Sequence, residues 1–127
     1  MPFYENGNVR IRYEEAGSGT PIIFVHEFSG DLWSWEKQIQ YFSRRYRCIA
    51  FNARGYPPSD VPRALSQYSQ RIATDDIAAV MRHLKIRKAH VIGCSMGGYA
   101  TIHFGLRYPR MALSLTAVGA GYGSDTD

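Results

Sequence analysis

One serine of this chain stands between two glycines, in the pattern G-x-S-x-G at residues 93–97. Residues 89–92 before it form a short apolar run with a β-branched centre, which is typical of a buried strand. From Met96 onward the pattern predicts a helix. A serine on so tight a strand-to-helix turn points its hydroxyl out of the sheet, and a Cβ at either glycine would collide across the turn. Ser95 is therefore predicted to be a nucleophile.

The backbone beside Ser95 offers a second chemical group. The N–H of Met96 is predicted to open the helix, where the positive end of the helix dipole attracts an anion. It can therefore donate to the oxyanion that forms when a serine attacks a carbonyl carbon. The alternative interpretation is that the two glycines only let a helix pack closely on a strand. The strand–turn–helix order favours the catalytic interpretation.

The elements that position this turn alternate between strands and helices. An Asn-Gly turn at residues 6–7 predicts an antiparallel hairpin, and continuous apolar runs predict strands that are covered on both faces. The predicted strands are residues 3–5, 9–14, 21–25, 46–51, 89–92 and 112–118, and the predicted helices begin at 31–34, at 69 and at 96. This alternation indicates one α/β domain, residues 1–127, with a mostly parallel sheet and flanking helices.

Composition narrows the classes of function. The formal charge is +4, but the basic residues are dispersed and do not interleave with aromatic residues, so no nucleic-acid partner is expected. No signal peptide and no run long enough to span a membrane is found, and Cys48 and Cys94 have the character of small buried residues. We therefore expect no membrane association and a reduced, cytoplasmic location.

Metal and cofactor motifs are also missing from the sequence. No cluster of Cys, His and carboxylate residues has metal-ligand spacing, so no metal is expected. No Gly-x-Gly-x-x-Gly follows the first strand of the predicted parallel sheet, which argues against a nucleotide-binding domain and predicts no cofactor.

With these elements in order, the chain resembles the N-terminal part of the α/β-hydrolase fold, and the resemblance covers nearly all of it. The resemblance implies that the loop after the third strand, residues 26–30, supplies a second oxyanion donor, here the backbone N–H of Phe28. Glu27 replaces the glycine that usually follows the His of this loop, His26. Residues 52–59 resemble the family's Asp-x-Arg-Gly-x-Gly-x-Ser loop, with Asn52 in place of the acid and Pro57 in place of the second glycine.

The identity of the nucleophile restricts the chemistry further. A serine, rather than an aspartate, argues against the epoxide-hydrolase and haloalkane-dehalogenase branches that the same architecture hosts. The expected substrate is a small ester, a thioester or a related acyl compound, and C–C bond hydrolysis also stays open. The alternative, from another functional class, is a non-catalytic module that binds a small ligand or a partner protein at the same crevice.

The acid and the His of a catalytic triad are expected after the serine in this family. His103 is the one histidine that follows Ser95, but it lies roughly 12 Å along the same predicted helix and is not expected to act as the base. His83 is expected near the end of a helix, and His90 at the far end of its strand. The base and the acid are therefore expected outside this chain.

The remaining polar residues near the predicted site do not change this expectation. His26 is expected to hydrogen-bond its own loop, with service as the base as the alternative. Asp125 and Asp127 are interpreted as a polar terminus. The last strand, residues 112–118, is predicted to be an exposed apolar edge that can pair with a second chain or a second copy. We expect an incomplete hydrolase domain, either a segment of a longer enzyme or one that another polypeptide complements.

Overall fold

The structure is a computed structural model that describes residues 1–120. The two tail acids considered above, Asp125 and Asp127, lie outside the described residues. The strands are β1 (Phe3–Asn6), β2 (Val9–Ala16), β3 (Thr20–Val25), β4 (Tyr46–Phe51), β5 (Ala89–Cys94) and β6 (Ala112–Val118). The helices are α1 (Glu36–Phe42), α2 (Gln70–His83) and α3 (Met96–Arg107), with short 3-10 turns at Leu32–Trp35, Leu65–Gln67 and Pro109–Met111.

The six described strands form a single sheet in the order β1-β2-β4-β3-β5-β6. The first three of these pair antiparallel, whereas β4, β3, β5 and β6 run parallel to one another. The predicted α/β class with a mostly parallel sheet is therefore confirmed. Because the carboxyl ends of β3, β4 and β5 meet at one edge, the loops that follow these three strands come together there.

Alternating side chains of the central strands enter two separate cores. On one face, Ile23, Ile49 and Val91 are fully buried beneath α2 and α3. On the other face, Phe24 and Cys48 pack beneath α1 and the turn before it. This second core is also contacted by Trp35, Ile39 and Phe42, whose spacing of four and three residues is helical. Burial on both faces explains why these strands are read as continuous apolar runs.

Side chains cap the starts of two helical segments, the 3-10 turn before α1 and the helix α2. Asp31 accepts a hydrogen bond from the Trp33 N–H at 2.9 Å, and the Ser34 hydroxyl accepts one from the Asp31 N–H. Ser69 caps α2 through the Ile72 N–H at 3.0 Å. These caps satisfy backbone donors that the first turn of a helix leaves unpaired.

The last described strand, β6, lies at the edge of the sheet, as the sequence predicts. All of its residues except the first are exposed, and Leu113, Leu115 and Val118 are between 43% and 49% exposed. Leu115 contacts α3 at Gly105, so one face of β6 is partly covered. Its outer edge carries no further strand within residues 1–120.

Two searches of the described residues are negative. None of the helices in this part of the chain is both long and apolar enough to cross a bilayer. Residues 1–120 also contain no group of three or more His, Cys, Asp or Glu side chains that could hold a metal ion.

Candidate active site

Ser95 occupies the sharp turn between β5 and α3 in a backbone conformation that few residues adopt. Its φ is 52° and its ψ is −114°, and it is one of two non-glycine residues with positive φ in the described chain. Such a conformation costs of order 1–3 kcal/mol and persists only where the surroundings enforce it. The strained turn predicted from the G-x-S-x-G pattern is thus present, with the serine half-buried.

The glycines on either side of Ser95 allow this turn because each meets backbone at close range. A Cβ on Gly93 would lie 2.1 Å from the Gly97 carbonyl oxygen. A Cβ on Gly97 would lie 2.1 Å from the Val25 carbonyl oxygen and 2.7 Å from that of His26. The first turn of α3 is therefore pressed against the end of β3, which places the serine turn beside the loop that follows β3.

Two backbone N–H groups of the turn differ in their hydrogen bonding. The Ser95 N–H donates to the Val118 carbonyl at 2.8 Å, which ties the turn to the end of β6. The Met96 N–H is the first of α3, where no intrahelical acceptor exists, and the Ser95 side chain does not cap it. The Met96 N–H is thus the donor that the turn can offer to an anion.

The loop after β3 lies against this turn. The Tyr56 hydroxyl donates to the Phe28 carbonyl at 2.6 Å and lies 3.7 Å from the Met96 sulfur. Phe28 and Met96, the two residues predicted to supply oxyanion donors, are therefore linked through one side chain. Burial and the nearby Glu27 carboxylate raise the pKa of the Tyr56 phenol, so it is a protonated donor at neutral pH.

His26 is buried and both of its ring nitrogens are engaged. The Ala53 N–H donates to Nε2 at 3.0 Å, and Nδ1 lies 2.7 Å from the Glu27 carbonyl oxygen. Because Nε2 accepts, Nδ1 must carry the proton and donate. Burial lowers the pKa of His26 below its ordinary 6.5, although the Glu27 carbonyl and the Glu27 and Asp31 carboxylates oppose the shift. His26 hydrogen-bonds its own loop, as expected, and has no nitrogen left to act as a base.

The positions that depart from the family pattern are accommodated locally. The Glu27 carboxylate lies over Gly30, where a Cβ would come within 2.0 Å of its Oε1, and this oxygen is buried without a hydrogen-bond partner in the described chain. The Asn52 amide accepts from the Leu32 N–H at 2.8 Å and donates to the Pro57 carbonyl at 3.1 Å. A carboxylate could not make the second bond, so Asn52 joins the two loops as an amide.

The other histidines lie away from Ser95. His90 Nδ1 is 2.6 Å from Ser114 Oγ, and His83 Nε2 is 3.4 Å from the Tyr13 hydroxyl. His103 lies eight residues beyond the serine in α3. Neither His83 nor His90, nor His26 above, directs a described hydrogen bond at Ser95.

An apolar cavity of about 790 Å³ opens beside the turn. Its lining includes Phe28, Tyr56, Tyr68, Met96 and Ala100. Its volume is within the range of small-molecule sites.

The wall of this cavity contains a buried ion pair that the sequence did not predict. Arg54 donates from Nε and Nη2 to the two carboxylate oxygens of Asp76, each at 2.8 Å, and both side chains are less than a tenth exposed. Asp76 belongs to α2, but the first turn of that helix holds no acid, so Asp76 does not complement the helix dipole there. The Arg-Gly pair at residues 54–55 was the available signal, since an Arg in a short loop needs a partner when it is buried.

Comparison with known proteins shows which family and which proteins this chain is similar to. The family model described as the α/β hydrolase fold matches residues 20–127. Epoxide hydrolase 1 of Caenorhabditis elegans is 35% identical over 105 residues, which are 81% of this chain and 26% of that protein. An N-acyl homoserine lactone degrading enzyme superposes with a TM-score of 0.88 at 33% identity, over 94% of this chain and 46% of its own.

A third similar protein is an epoxide hydrolase of Bacillus megaterium. Its structure superposes with a TM-score of 0.91 at 26% identity, over 95% of this chain and 43% of its own. The chain thus spans less than half the length of each of these three proteins.

Proposed function

The chain belongs to the α/β-hydrolase fold family, and we propose that it carries the nucleophile half of a serine hydrolase that acts on a small ester, a thioester or a related acyl compound. The observation that carries the proposal is Ser95 in its strained turn, with the Met96 N–H beside it. The similarity to an N-acyl homoserine lactone degrading enzyme supports a hydrolase of acyl bonds, since a lactone is a cyclic ester.

The chemistry of a serine separates acyl substrates from epoxides, although two of the similar proteins are epoxide hydrolases. A serine oxygen that opened an epoxide would form an ether, and water does not hydrolyse an ether under these conditions. The same oxygen attacking an acyl carbon forms an ester, which water can hydrolyse to release the enzyme. Turnover at Ser95 therefore requires an acyl substrate.

The proposed reaction uses the groups at the edge of the sheet. Ser95 Oγ loses its proton to a base and attacks the acyl carbon, while the N–H groups of Met96 and Phe28 stabilise the oxyanion. The leaving group departs with the proton from the base. A water molecule, activated by the same base, then attacks the acyl-serine and restores the hydroxyl.

The base and its acid are proposed to come from outside residues 1–120. This proposal is supported by His26, His83 and His90, which hydrogen-bond groups other than Ser95. The open edge of β6 is the place where a further segment of the polypeptide, a second chain or a second copy would pair. The described domain is accordingly proposed to be incomplete as an enzyme.

The cavity beside the turn is proposed to hold the acyl group of a small-molecule substrate. Its lining is mainly apolar, and its one buried cation, Arg54, is already paired with Asp76. Nucleic-acid and membrane partners are not proposed. The two free cysteines, Cys48 and Cys94, support a reduced, cytoplasmic setting for the protein.

The test is hydrolysis of p-nitrophenyl butyrate by the complete protein and by its Ser95→Ala variant. The complete protein here means this chain together with the further segment, second chain or second copy proposed above. We expect a fall in kcat of at least about a thousandfold, because the covalent route is lost. Ser29→Ala is the matched control, since Ser29 is an exposed serine of the neighbouring loop. Unchanged hydrolysis by Ser95→Ala would contradict the proposal.

The second candidate is the non-catalytic binding module, which the engaged state of both His26 nitrogens favours. It predicts that the complete protein binds small apolar esters without hydrolysing them. Release of p-nitrophenol that depends on Ser95 would eliminate this candidate.

A further inference from the structure

The side chains of Phe28 and Ser29 do little to fix the part of the loop that would hold the second oxyanion donor. Phe28 is 73% exposed, and Ser29 is exposed as well. An exposed side chain adds little packing energy that could hold its backbone in place. An oxyanion donor nevertheless has to be held within about 0.5 Å of its productive position. The direction of the Phe28 N–H must therefore be set by contacts to the backbone itself.

The first such contact is made by His26. The peptide bond between Glu27 and Phe28 is planar and trans, so the Glu27 carbonyl and the Phe28 N–H point in opposite directions. His26 Nδ1 donates to the Glu27 carbonyl at 2.7 Å, and the Gly30 N–H donates to the same oxygen at 3.3 Å. The Phe28 N–H consequently points away from the buried imidazole.

The second contact is made by Tyr56 on the next peptide. Its hydroxyl donates to the Phe28 carbonyl at 2.6 Å, which holds the peptide bond between Phe28 and Ser29. The rings of His26 and Tyr56 meet edge to face with their centroids 4.7 Å apart. The two peptide planes on either side of the Phe28 Cα are therefore each held by one ring, and the two rings support each other.

We propose that His26 and Tyr56, here called the loop clamp, are positioning residues that set the direction of the Phe28 N–H in the oxyanion hole. The inference rests on the proposed function, because it assigns these residues to the same site. Neither residue transfers a proton in the reaction. His26 acts through the Glu27 peptide, and Tyr56 acts through the Phe28 carbonyl.

Two substitutions of His26 separate its two hydrogen bonds. The amide nitrogen of an asparagine lies near the place of Nδ1, so His26→Asn keeps a donor for the Glu27 carbonyl and loses the bond from the Ala53 N–H. The amide oxygen of a glutamine lies near the place of Nε2, so His26→Gln keeps the bond from Ala53 and loses the one to Glu27. A merely structural role would make the loss of kcat in each variant follow its loss of melting temperature.

The experiment measures kcat and KM of the complete protein with p-nitrophenyl butyrate, together with the melting temperature of each variant. We expect kcat of His26→Gln to lie roughly tenfold or more below that of His26→Asn, with KM changed less than about threefold. The oxyanion exists only in the transition state and the intermediate, so a misdirected donor lowers kcat rather than substrate binding.

Tyr56→Phe provides an independent variant, because it keeps the ring contact to His26 and removes the hydroxyl that donates to the Phe28 carbonyl and contacts the Met96 sulfur. We expect kcat to fall about tenfold at nearly constant KM. Tyr41→Phe is the matched control, since Tyr41 is an exposed tyrosine of α1 and does not line the cavity. Its kcat should stay within about twofold of the wild type.

Two results would overturn the assignment. Equal losses of kcat in the two His26 variants, or losses that follow the melting temperatures, would reduce the clamp to a structural feature while Ser95-dependent hydrolysis persists. If the unaltered protein shows no hydrolysis that depends on Ser95, the proposed function fails and the clamp has no oxyanion hole to position.

Discussion

The two outer sides of the sheet differ in how completely they are closed. On the β1 side, the Tyr4 side chain is 1% exposed and its hydroxyl donates to the Asp76 carbonyl of α2 at 2.8 Å. On the β6 side, Leu113 and Leu115 are 46% and 43% exposed. The same sheet thus has one side finished with buried contacts and another that offers apolar surface for pairing.

The candidate site lies between these two sides and depends on both. The loop proposed to hold an oxyanion donor follows β3. Two residues of the loop after β4 hold it, since Tyr56 donates to the Phe28 carbonyl and the Ala53 N–H donates to His26. The proposed nucleophile of the site contacts the open side, because the Ser95 N–H donates to the Val118 carbonyl at the end of β6. The contacts that hold the turn therefore lie within the described residues, whereas the groups that would activate the serine are proposed to come from the open side.

The largest loss of stability is expected on the closed side, from Arg54→Met. This change leaves the Asp76 carboxylate buried without its cation, although Asn6 still donates to it at 2.9 Å. Breaking a buried pair in this way typically costs about 3–5 kcal/mol. Urea unfolding of the 127-residue chain measures the loss. Arg47→Met is the control, because its ion pair with Glu15 is about 30% exposed and should contribute less than about 1 kcal/mol.

The next largest effect is expected at the serine turn, from Gly97→Ala. The new Cβ meets the Val25 and His26 carbonyls, which belong to the backbone of β3 and its loop and cannot swing away. Overpacking of this kind costs about 1–3 kcal/mol, and we expect the upper part of that range together with loss of Ser95 reactivity.

Gly105→Ala is the matched substitution in the same helix. Its Cβ meets the tip of the half-exposed Leu115 side chain, which can rotate away. Alanine is also the better helix former by about 1 kcal/mol. Thermal unfolding should therefore show Gly105→Ala at or above the wild-type stability. Equal destabilisation by the two changes would contradict the close backbone contact at Gly97.

The smallest effect is expected on the open side, from Leu115→Ala. Leu115 pairs in register with Val91 of β5, which is fully buried. Val91→Ala should cost about 2 kcal/mol, whereas Leu115→Ala should cost less than about 1 kcal/mol, because its side chain is already half in water. Urea unfolding compares the two. A cost for Leu115→Ala as large as that for Val91→Ala would mean that β6 is covered in solution, which sedimentation would show as self-association.

Local pattern was sufficient to predict the turn and the strands around it. The G-x-S-x-G spacing predicted a strained serine before a helix, and Ser95 has a φ of 52°. Residues 46–51 and 112–118 were predicted as strands with the bounds that β4 and β6 have. These features follow from a few adjacent residues, so tertiary contacts did not override them.

Contacts between distant segments could not be predicted from the local sequence pattern. The partnership of Arg54 with Asp76 joins a loop to a helix 22 residues away, and nothing in the spacing identifies which acid the guanidinium meets. The sequence likewise shows that Tyr56 carries a hydroxyl group, but it does not show that this hydroxyl donates to the Phe28 carbonyl. Asn52 counted as a departure from the family pattern, but its amide makes two bonds that only the packed loops reveal.

The central claim is that Ser95 is a nucleophile and that the base that activates it comes from outside residues 1–120. A fluorophosphonate probe tests this claim most directly. Intact-mass spectrometry would compare the 127-residue chain with the complete protein, each beside its Ser95→Ala variant. We predict one adduct in the complete protein, lost in Ser95→Ala, and at least about a hundredfold slower labelling of the 127-residue chain alone. Equally fast labelling of the two at Ser95 would contradict the claim by showing that the chain contains its own base, and an adduct that survives Ser95→Ala would show that the nucleophile lies elsewhere.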